Sequence, residues 1–242
     1  MTVDPAIAAA WIRVAGRALA RSGLVHAYGH CSVRLDTGTI MVSPAKPLGL
    51  VAAGEECSIV ALEGPLPDHI LGEVRIHREI YRRRVDVNGV VRSMPPNVMS
   101  LGTLARTARA RHGFGSYFYP APPLWNDPQL LRSDEQAAAL AEQLGSAPGI
   151  AMRGNGFVAV GQSLAQAVVL TWYAEDAARV ELDCLKALPE EHHRLLTREE
   201  ALQRASWSGR ILERMWDYLS AGDPELTTLD APASKTHPGV TS

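Results

Sequence analysis

The alternation of apolar and polar positions divides the chain into helices and short strands in close succession. Asp4-Pro5 opens the first helix, with an N-cap oxygen followed by proline at the first helical position, and the run to about Ser22 stops at Gly23. Strands are predicted at Ser32 to Leu35 and Thr39 to Val42, joined through the hairpin-type turn Asp36-Thr37-Gly38, with another at Ser58 to Leu62. Residues 69–84 read as an amphipathic helix, because Ile70, Val74, His77 and Tyr81 recur at helical spacing. Glu73 falls in or near its first turn, one helical turn ahead of His77, and Arg82-Arg83-Arg84 forms its polar end, where cations oppose the negative pole of the helix. From Asn88 to Ser93 the period becomes two, which sends Val90, Arg92 and Met94 to one side and Val91 and Ser93 to the other.

The second half repeats these signals. Asn155-Gly156 lies between two apolar strand-like segments and has the composition of a two-residue hairpin turn. Ser133-x-x-Gln136, Ser163-x-x-Gln166 and Thr197-x-x-Glu200 are capping boxes, each opening a helical run; the second leads into a helix from Ser163 to Leu185. Residues 112–128 are rich in glycine, proline and aromatics and are expected to lack regular structure, serving as a lid or interface loop or simply covering the sheet edge. From Ala221 the composition turns to Gly, Pro, Thr and Ser, so residues 221–242 are expected to be a tail or an arm on a neighbouring subunit.

With 242 residues, 46% of them hydrophobic and 21% charged, the chain can bury the core of one large α/β domain over residues 1–220. The net charge of −2 and the scattered basic residues supply no footprint for nucleic acid. No apolar run approaches the roughly 18 residues of a membrane span, and the first residues lack a signal pattern, so a soluble, cytoplasmic protein is expected. Cys31, Cys57 and Cys184 are odd in number and follow no Cys-x-x-Cys spacing, against both a disulfide framework and a zinc knuckle. Cys31 reads as a small buried hydrophobe rather than a nucleophile.

Candidate chemistry gathers in four stretches: Gly23-Leu-Val-His26-Ala-Tyr28-Gly29-His30-Cys-Ser-Val-Arg34, Met41-Val-Ser43-Pro44-Ala45, the run from Glu73-Val-Arg-Ile-His77 to Arg92-Ser-Met94-Pro95-Pro96, and Gly154-Asn155-Gly156. In order and spacing they resemble the class II aldolase/adducin superfamily, in its decarboxylase/aldolase-like branch, over roughly residues 8 to 188. The resemblance implies a three-layer α/β/α fold around a central, mostly antiparallel sheet. It also implies a homotetramer with active sites near subunit boundaries, and a small-molecule substrate. In that superfamily three histidines hold a divalent cation that polarises a substrate carbonyl, and a glutamate handles protons. Arg92, Met94 and Asn155 stand at the three histidine positions of this chain.

Such a donor set predicts no metal and no other cofactor. Guanidinium stays protonated and offers no lone pair, thioether suits Cu(I) rather than zinc or manganese, and an amide oxygen is a weak ligand. A rebuilt site from His26, His30, Glu73 or His77 is the alternative. Arg92 has two readings: a fixed cation that replaces the metal as electrophile or substrate anchor, or an inert ion pair with Glu73 that plugs a dead site. The catalytic candidates are Glu73, His30 and Arg92, with His77 packed one turn below Glu73 to orient it. Ser43, Arg92, Met94, Asn155, Tyr117 and Tyr119 are the candidate substrate-binding residues, the two tyrosines as lid donors. A phosphorylated sugar is disfavoured, since Pro44 removes an amide donor and Leu71-Gly72 replaces a hydroxyl pair. Two functions remain in view: a metal-independent carbon–carbon lyase acting on an oxo- or hydroxy-carboxylate or ring compound in a specialised biosynthetic pathway, and a non-catalytic scaffold. An Arg92–Glu73 pair with no ligand-sized space beside it would favour the scaffold.

Overall fold

A computed structural model of the chain describes residues 2–187 and 189–229. Seven strands, β1 (His30–Arg34), β2 (Thr39–Val42), β3 (Ser58–Ala61), β4 (Gly89–Ser93), β5 (Leu124–Trp125), β6 (Gly149–Met152) and β7 (Gly156–Gly161), form one sheet in the order β3-β2-β1-β4-β7-β6-β5. Every neighbouring pair is antiparallel except β5 with β6.

The period of two builds two cores, because successive strand side chains leave by opposite faces. On one face Val91, Phe157 and Ala159 pack against α1 (Pro5–Arg21), α3 (Pro96–Thr103), α5 (Leu164–Ala187) and α7 (Ile211–Ser220), whose buried members include Ile12, Leu101, Val168 and Trp216. On the other, Ile40, Val60, Val90, Ile150 and Val158 meet α2 (Val74–Arg83) and α4 (Asp134–Leu144) through Ile76, Ile80, Leu140 and Leu144. The architecture is the expected three layers around a mostly antiparallel sheet. Two short helices, α6 (Arg198–Arg204) and α8 (Leu226–Leu229), follow α5 and α7 respectively. Among the described residues no helix is long and apolar enough to cross a membrane.

Several local expectations are corrected. Helix α2 begins at Val74 rather than at residue 69, which leaves Glu73 as its N-cap, making no capping hydrogen bond with its side chain. The 112–128 segment carries a 3-10 turn at Gly115–Phe118 and strand β5, and its aromatics are packed: Phe114 stacks on Tyr173 at 4.4 Å, and Tyr117 lies 4.5 Å from Trp207. The β6–β7 connection is the three-residue turn Arg153-Gly154-Asn155, closed by Asn155 N donating to Met152 O at 3.0 Å, with Gly154 and Gly156 taking the positive φ angles and Asn155 none. At Ser163 the hydroxyl caps Gln166 N, while the Gln166 side chain accepts from Gln162 N rather than from Ser163.

The expected tail at residue 221 starts as a docked segment instead. Arg13, Arg17 and Arg21 recur every four residues on one face of α1 and hold Asp223 and Glu225, both buried; Arg13 grips Glu225 at 2.6–3.0 Å and Arg17 reaches both carboxylates at 2.7 Å. Opposite charges pair where each alone would be costly to bury. Residues 230–242 lie outside the described residues.

Candidate active site

The cross-strand register places His30 of β1 opposite Arg92 of β4, and opposed residues share a face of the sheet. That face is the one covered by α2, whose first turn sets Glu73 over the pair. The β6–β7 turn then delivers Asn155 alongside, an approach that depends on Gly156: a Cβ there would lie 2.1 Å from Ser93 O, and its φ of +92° is a conformation that L side chains rarely adopt.

The four side chains interlock. Arg92 Nε lies 3.0 Å from Glu73 Oε2, an ion-pair contact whose angle makes no hydrogen bond, and Arg92 Nη2 donates to Asn155 Oδ1 at 2.8 Å. Asn155 Nδ2 donates to Glu73 Oε1 at 3.3 Å, so the amide bridges cation and anion. His30 Nε2 is 3.8 Å from Glu73 Oε2, beyond hydrogen-bond range. Among the described residues, Arg92 Nη1 and His30 Nε2 are buried without a hydrogen-bond partner. An unsatisfied buried donor is costly, and it marks where a ligand would be welcome.

Burial and charge oppose one another here. Burial pushes the Glu73 carboxyl up, but His30, Arg92 and Asn155 outweigh it and hold it below the usual carboxylate range. Burial lowers His30, with the Arg92 charge adding and Glu73 opposing; the same burial takes His77 well below the ordinary imidazole range, aided by His30 and Arg92. The site at neutral pH therefore holds one carboxylate, one guanidinium and two neutral imidazoles.

Beside this cluster opens a cavity of about 640 Å³, large enough for a small organic molecule. His30, Glu73, Arg92, Met94 and Asn155 line it, five of the sequence candidates. Ser43 does not: it is buried, and its hydroxyl accepts from Cys31 N at 3.3 Å. Tyr117 lies on the opposite face of the sheet, its hydroxyl donating to Ser206 O and its ring against Tyr173, while Tyr119 is partly exposed and also outside the lining. Within the subunit, the cavity mouth is instead built from Tyr28, Lys46, Leu130 and Arg132. Tyr28 lies in the Gly23–Arg34 stretch marked by the sequence, though not named there as a site residue, whereas Lys46, Leu130 and Arg132 were missed. Lys46 follows the Ser43-Pro44-Ala45 loop and Arg132 precedes the capping Ser133, but neither position carries a motif of its own.

His77 contacts His30 rather than Glu73, its Nε2 2.8 Å from His30 Nδ1. Cys31 is fully buried, burial pushes its thiol up, and its sulfur donates weakly to Ile12 O, so nothing activates it as a nucleophile.

The divalent cation implied by the resemblance does not fit this donor set. Arg92 brings a fixed positive charge, and it already holds the Asn155 oxygen that a metal would need. Among the described residues no three His, Cys, Asp or Glu side chains gather in a metal-binding group. The two buried imidazoles, His30 and His77, spend one nitrogen each on the other.

Comparison with known proteins agrees with the fold. A family model described as the class II aldolase and adducin N-terminal domain matches residues 12–182. The 3,4-dihydroxyphthalate decarboxylase of Arthrobacter keyseri is 28% identical over 204 residues, covering 74% of this chain and 82% of the relative. L-fuculose 1-phosphate aldolase from Glaciozyma antarctica PI12 superposes with a TM-score of 0.74 at 18% identity, covering 89% of each chain. The corresponding aldolase of Thermus thermophilus gives 0.67 at 26% identity, over 77% of this chain and 99% of that one.

Proposed function

Because the chain belongs to the class II aldolase and adducin family, we propose that it is a carbon–carbon lyase in which Arg92 does the work of the family's cation. Its substrate on this reading is a small, non-phosphorylated hydroxy- or oxo-carboxylate or hydroxylated ring acid, and the reaction a decarboxylation or retro-aldol cleavage. The observation that carries the proposal is the buried, unpartnered Arg92 Nη1 beside the cavity. A fixed N–H donor aimed at a developing enolate oxygen contributes roughly 3–4 kcal/mol to a transition state. Arg92 supplies it with a full charge and no need to rearrange.

Supporting features concern the substrate. Arg132 adds positive charge at the cavity wall and makes no side-chain hydrogen bond or ion pair among the described residues, while Lys46 of the same wall is paired with Glu55 at 3.1 Å. Carboxylates suit such a wall. The burial of the Ser43 hydroxyl leaves one fewer donor for a phosphate. The decarboxylase relative is named for an aromatic dicarboxylate, which fits the same description.

A non-catalytic scaffold is the second reading, favoured by the 3.0 Å approach of Arg92 to Glu73. A sealed site would lack the adjoining 640 Å³ of space. We further read the molecule as a cytoplasmic homotetramer, for which light scattering is the direct measure.

The test combines metal content with turnover. Elemental mass spectrometry of the purified protein should find far less than one metal per chain, whereas Arg92→His/Met94→His/Asn155→His protein should take up zinc. Metal-stripped wild type should then release product from 3,4-dihydroxyphthalate or from a panel of hydroxy- and oxo-acids, and Glu73→Gln should not. Stoichiometric metal in the wild type, or a panel on which wild type and Glu73→Gln behave identically, overturns the proposal.

A further inference from the structure

A buried line of hydrogen bonds runs between α2 and the face of β1 to the cavity. Tyr81 Oη donates to Ser32 O at 3.0 Å and lies 3.0 Å from Ser32 Oγ; Ser32 Oγ is 2.6 Å from His77 Nδ1; His77 Nε2 is 2.8 Å from His30 Nδ1. All four side chains are at most 2% exposed. At the far end His30 Nε2 is buried, unpartnered and part of a residue that lines the cavity.

The protons in this line can be placed by elimination. A carbonyl only accepts, so the Tyr81 proton is committed to Ser32 O. If each remaining contact has its own proton, the Ser32 hydroxyl must donate to Tyr81. His77 Nδ1–H must then donate to Ser32, and His30 Nδ1–H to the bare His77 Nε2. Both imidazoles are neutral in this arrangement, in keeping with the burial that holds them below the ordinary range. What is left over is a lone pair on His30 Nε2, 3.8 Å from Glu73 Oε2 in the wall of the cavity.

We infer that His30 Nε2 is the base that takes a proton from the bound substrate, and that Tyr81, Ser32 and His77 are positioning residues that hold His30 in the required tautomer. The inference rests on the reading of the cavity as an active site, and within it assigns Glu73 to clamping Arg92 rather than to moving the proton. For a hydroxylated ring carboxylate the step balances with water as the one other reactant. The hydroxyl proton moves to Nε2, leaving an oxyanion against Arg92. Nε2–H then protonates the ring carbon that bears the carboxylate; the bond to the carboxylate breaks, its electron pair returns to the ring and carbon dioxide leaves. His30 ends neutral, and the oxyanion takes a proton from water on release. The transient imidazolium is met by Glu73 on one side and by His77 Nε2 on the other.

The experiment is two-bond proton–nitrogen correlation spectroscopy on protein labelled with ¹⁵N-histidine, with His30→Gln to assign the resonance, alongside kinetics on 3,4-dihydroxyphthalate and a panel of hydroxylated benzoates. Wild type should show His30 protonated at Nδ1 and bare at Nε2. Tyr81→Phe frees the Ser32 hydroxyl to donate to His77, so the His30 proton should move to Nε2 and kcat should fall roughly 100-fold with KM little changed. An Nε2-protonated His30 in an active wild type, or a Tyr81→Phe variant with tautomer and kcat both unchanged, overturns the inference. The wild-type spectrum decides the tautomer even if the variant does not fold. A wild type inert on every compound sinks the active-site reading beneath it.

Discussion

Replacing Arg92 with methionine separates the cost of a buried ion pair from the chemistry it serves. The variant leaves the Glu73 carboxylate, whose side chain is 19% exposed, with only the Asn155 amide at 3.3 Å and His30 at 3.8 Å for company. An uncompensated buried charge costs roughly 3–5 kcal/mol. Glu73 can escape that cost by taking a proton, and from an ordinary pKa of about 4.3 protonation at pH 7 costs about 3.7 kcal/mol, falling to about 1 kcal/mol at pH 5. The destabilisation is therefore capped near those two values. The sign follows from the direction of each shift. In the wild type Glu73 is held below its usual range, so its contribution is present above that range and lost as the pH falls through its lower folded value. In the variant burial is opposed only by the Asn155 amide and by a neutral His30 beyond hydrogen-bond range, so Glu73 rises from its wild-type position and its penalty is largest at high pH and shrinks on acidification. Urea denaturation of both proteins at pH 7 and pH 5 should show the gap narrowing by about 2–3 kcal/mol. A gap that is the same at both pH values refutes the reasoning, as does a Glu73→Gln/Arg92→Met double variant no more stable than Arg92→Met.

The remaining predictions concern the frame around the site. Arg17→Ala leaves Asp223 and Glu225 short of a shared buried partner and should cost about 3 kcal/mol, seen as fast hydrogen exchange in residues 223–226 before the sheet opens. Because burial of Asp223 and Glu225 is outweighed by the arginines and both sit below the usual carboxylate range, that docking should weaken as the pH falls through their folded values, which exchange measured from neutral to acid pH would detect. Gly156→Ala combines a positive φ with a 2.1 Å clash on Ser93 O and should cost roughly 2–5 kcal/mol, read by thermal melting. Glu175→Ala removes the acceptor for Asn97 N, Val98 N and Asn97 Nδ2 at the start of α3, and should lower stability by about 2 kcal/mol in urea.

Most of the fold was legible because two periods dominate this chain. The switch from helical spacing at Ile70, Val74, His77 and Tyr81 to alternation at Val90, Val91 and Arg92 fixed α2 and β4, and alternation also decided which core each strand residue joined. The docked end was not legible, since Asp223 and Glu225 read as polar residues among Gly and Pro. The signal lay elsewhere, in three arginines at four-residue intervals along α1, a spacing that is equally the pattern of a solvated helix face and so did not point to Asp223 and Glu225. The aromatic segment failed differently. Composition left a lid, an interface loop or a cover for the sheet edge open, and did not show that Phe114 and Tyr117 would pack on Tyr173 and Trp207, because contacts with residues so distant in sequence leave no local trace.

For the site, position was easier to read than use. The structure places Glu73, Arg92, Met94 and Asn155, the residues grouped by the family resemblance, along one cavity, whereas the expected partnership of Glu73 with His77 is absent for a reason that lies in the helix end. Residues four apart stack only if both lie within the helix, and α2 begins one residue after Glu73. Freed of the helix, Glu73 turns to Arg92 and Asn155, while His77 points into the sheet and meets His30. Asn155 shows the converse. Its pairing with Gly156 suggested a residue chosen for backbone geometry, but the glycines on either side of it carry the positive φ angles, which leaves the amide free to bridge guanidinium and carboxylate. A residue excused from shaping its own turn, and buried with both ends of its side chain engaged, is held there for the side chain. Asn155 therefore belongs with Arg92, as two halves of one electrostatic centre that also holds Glu73.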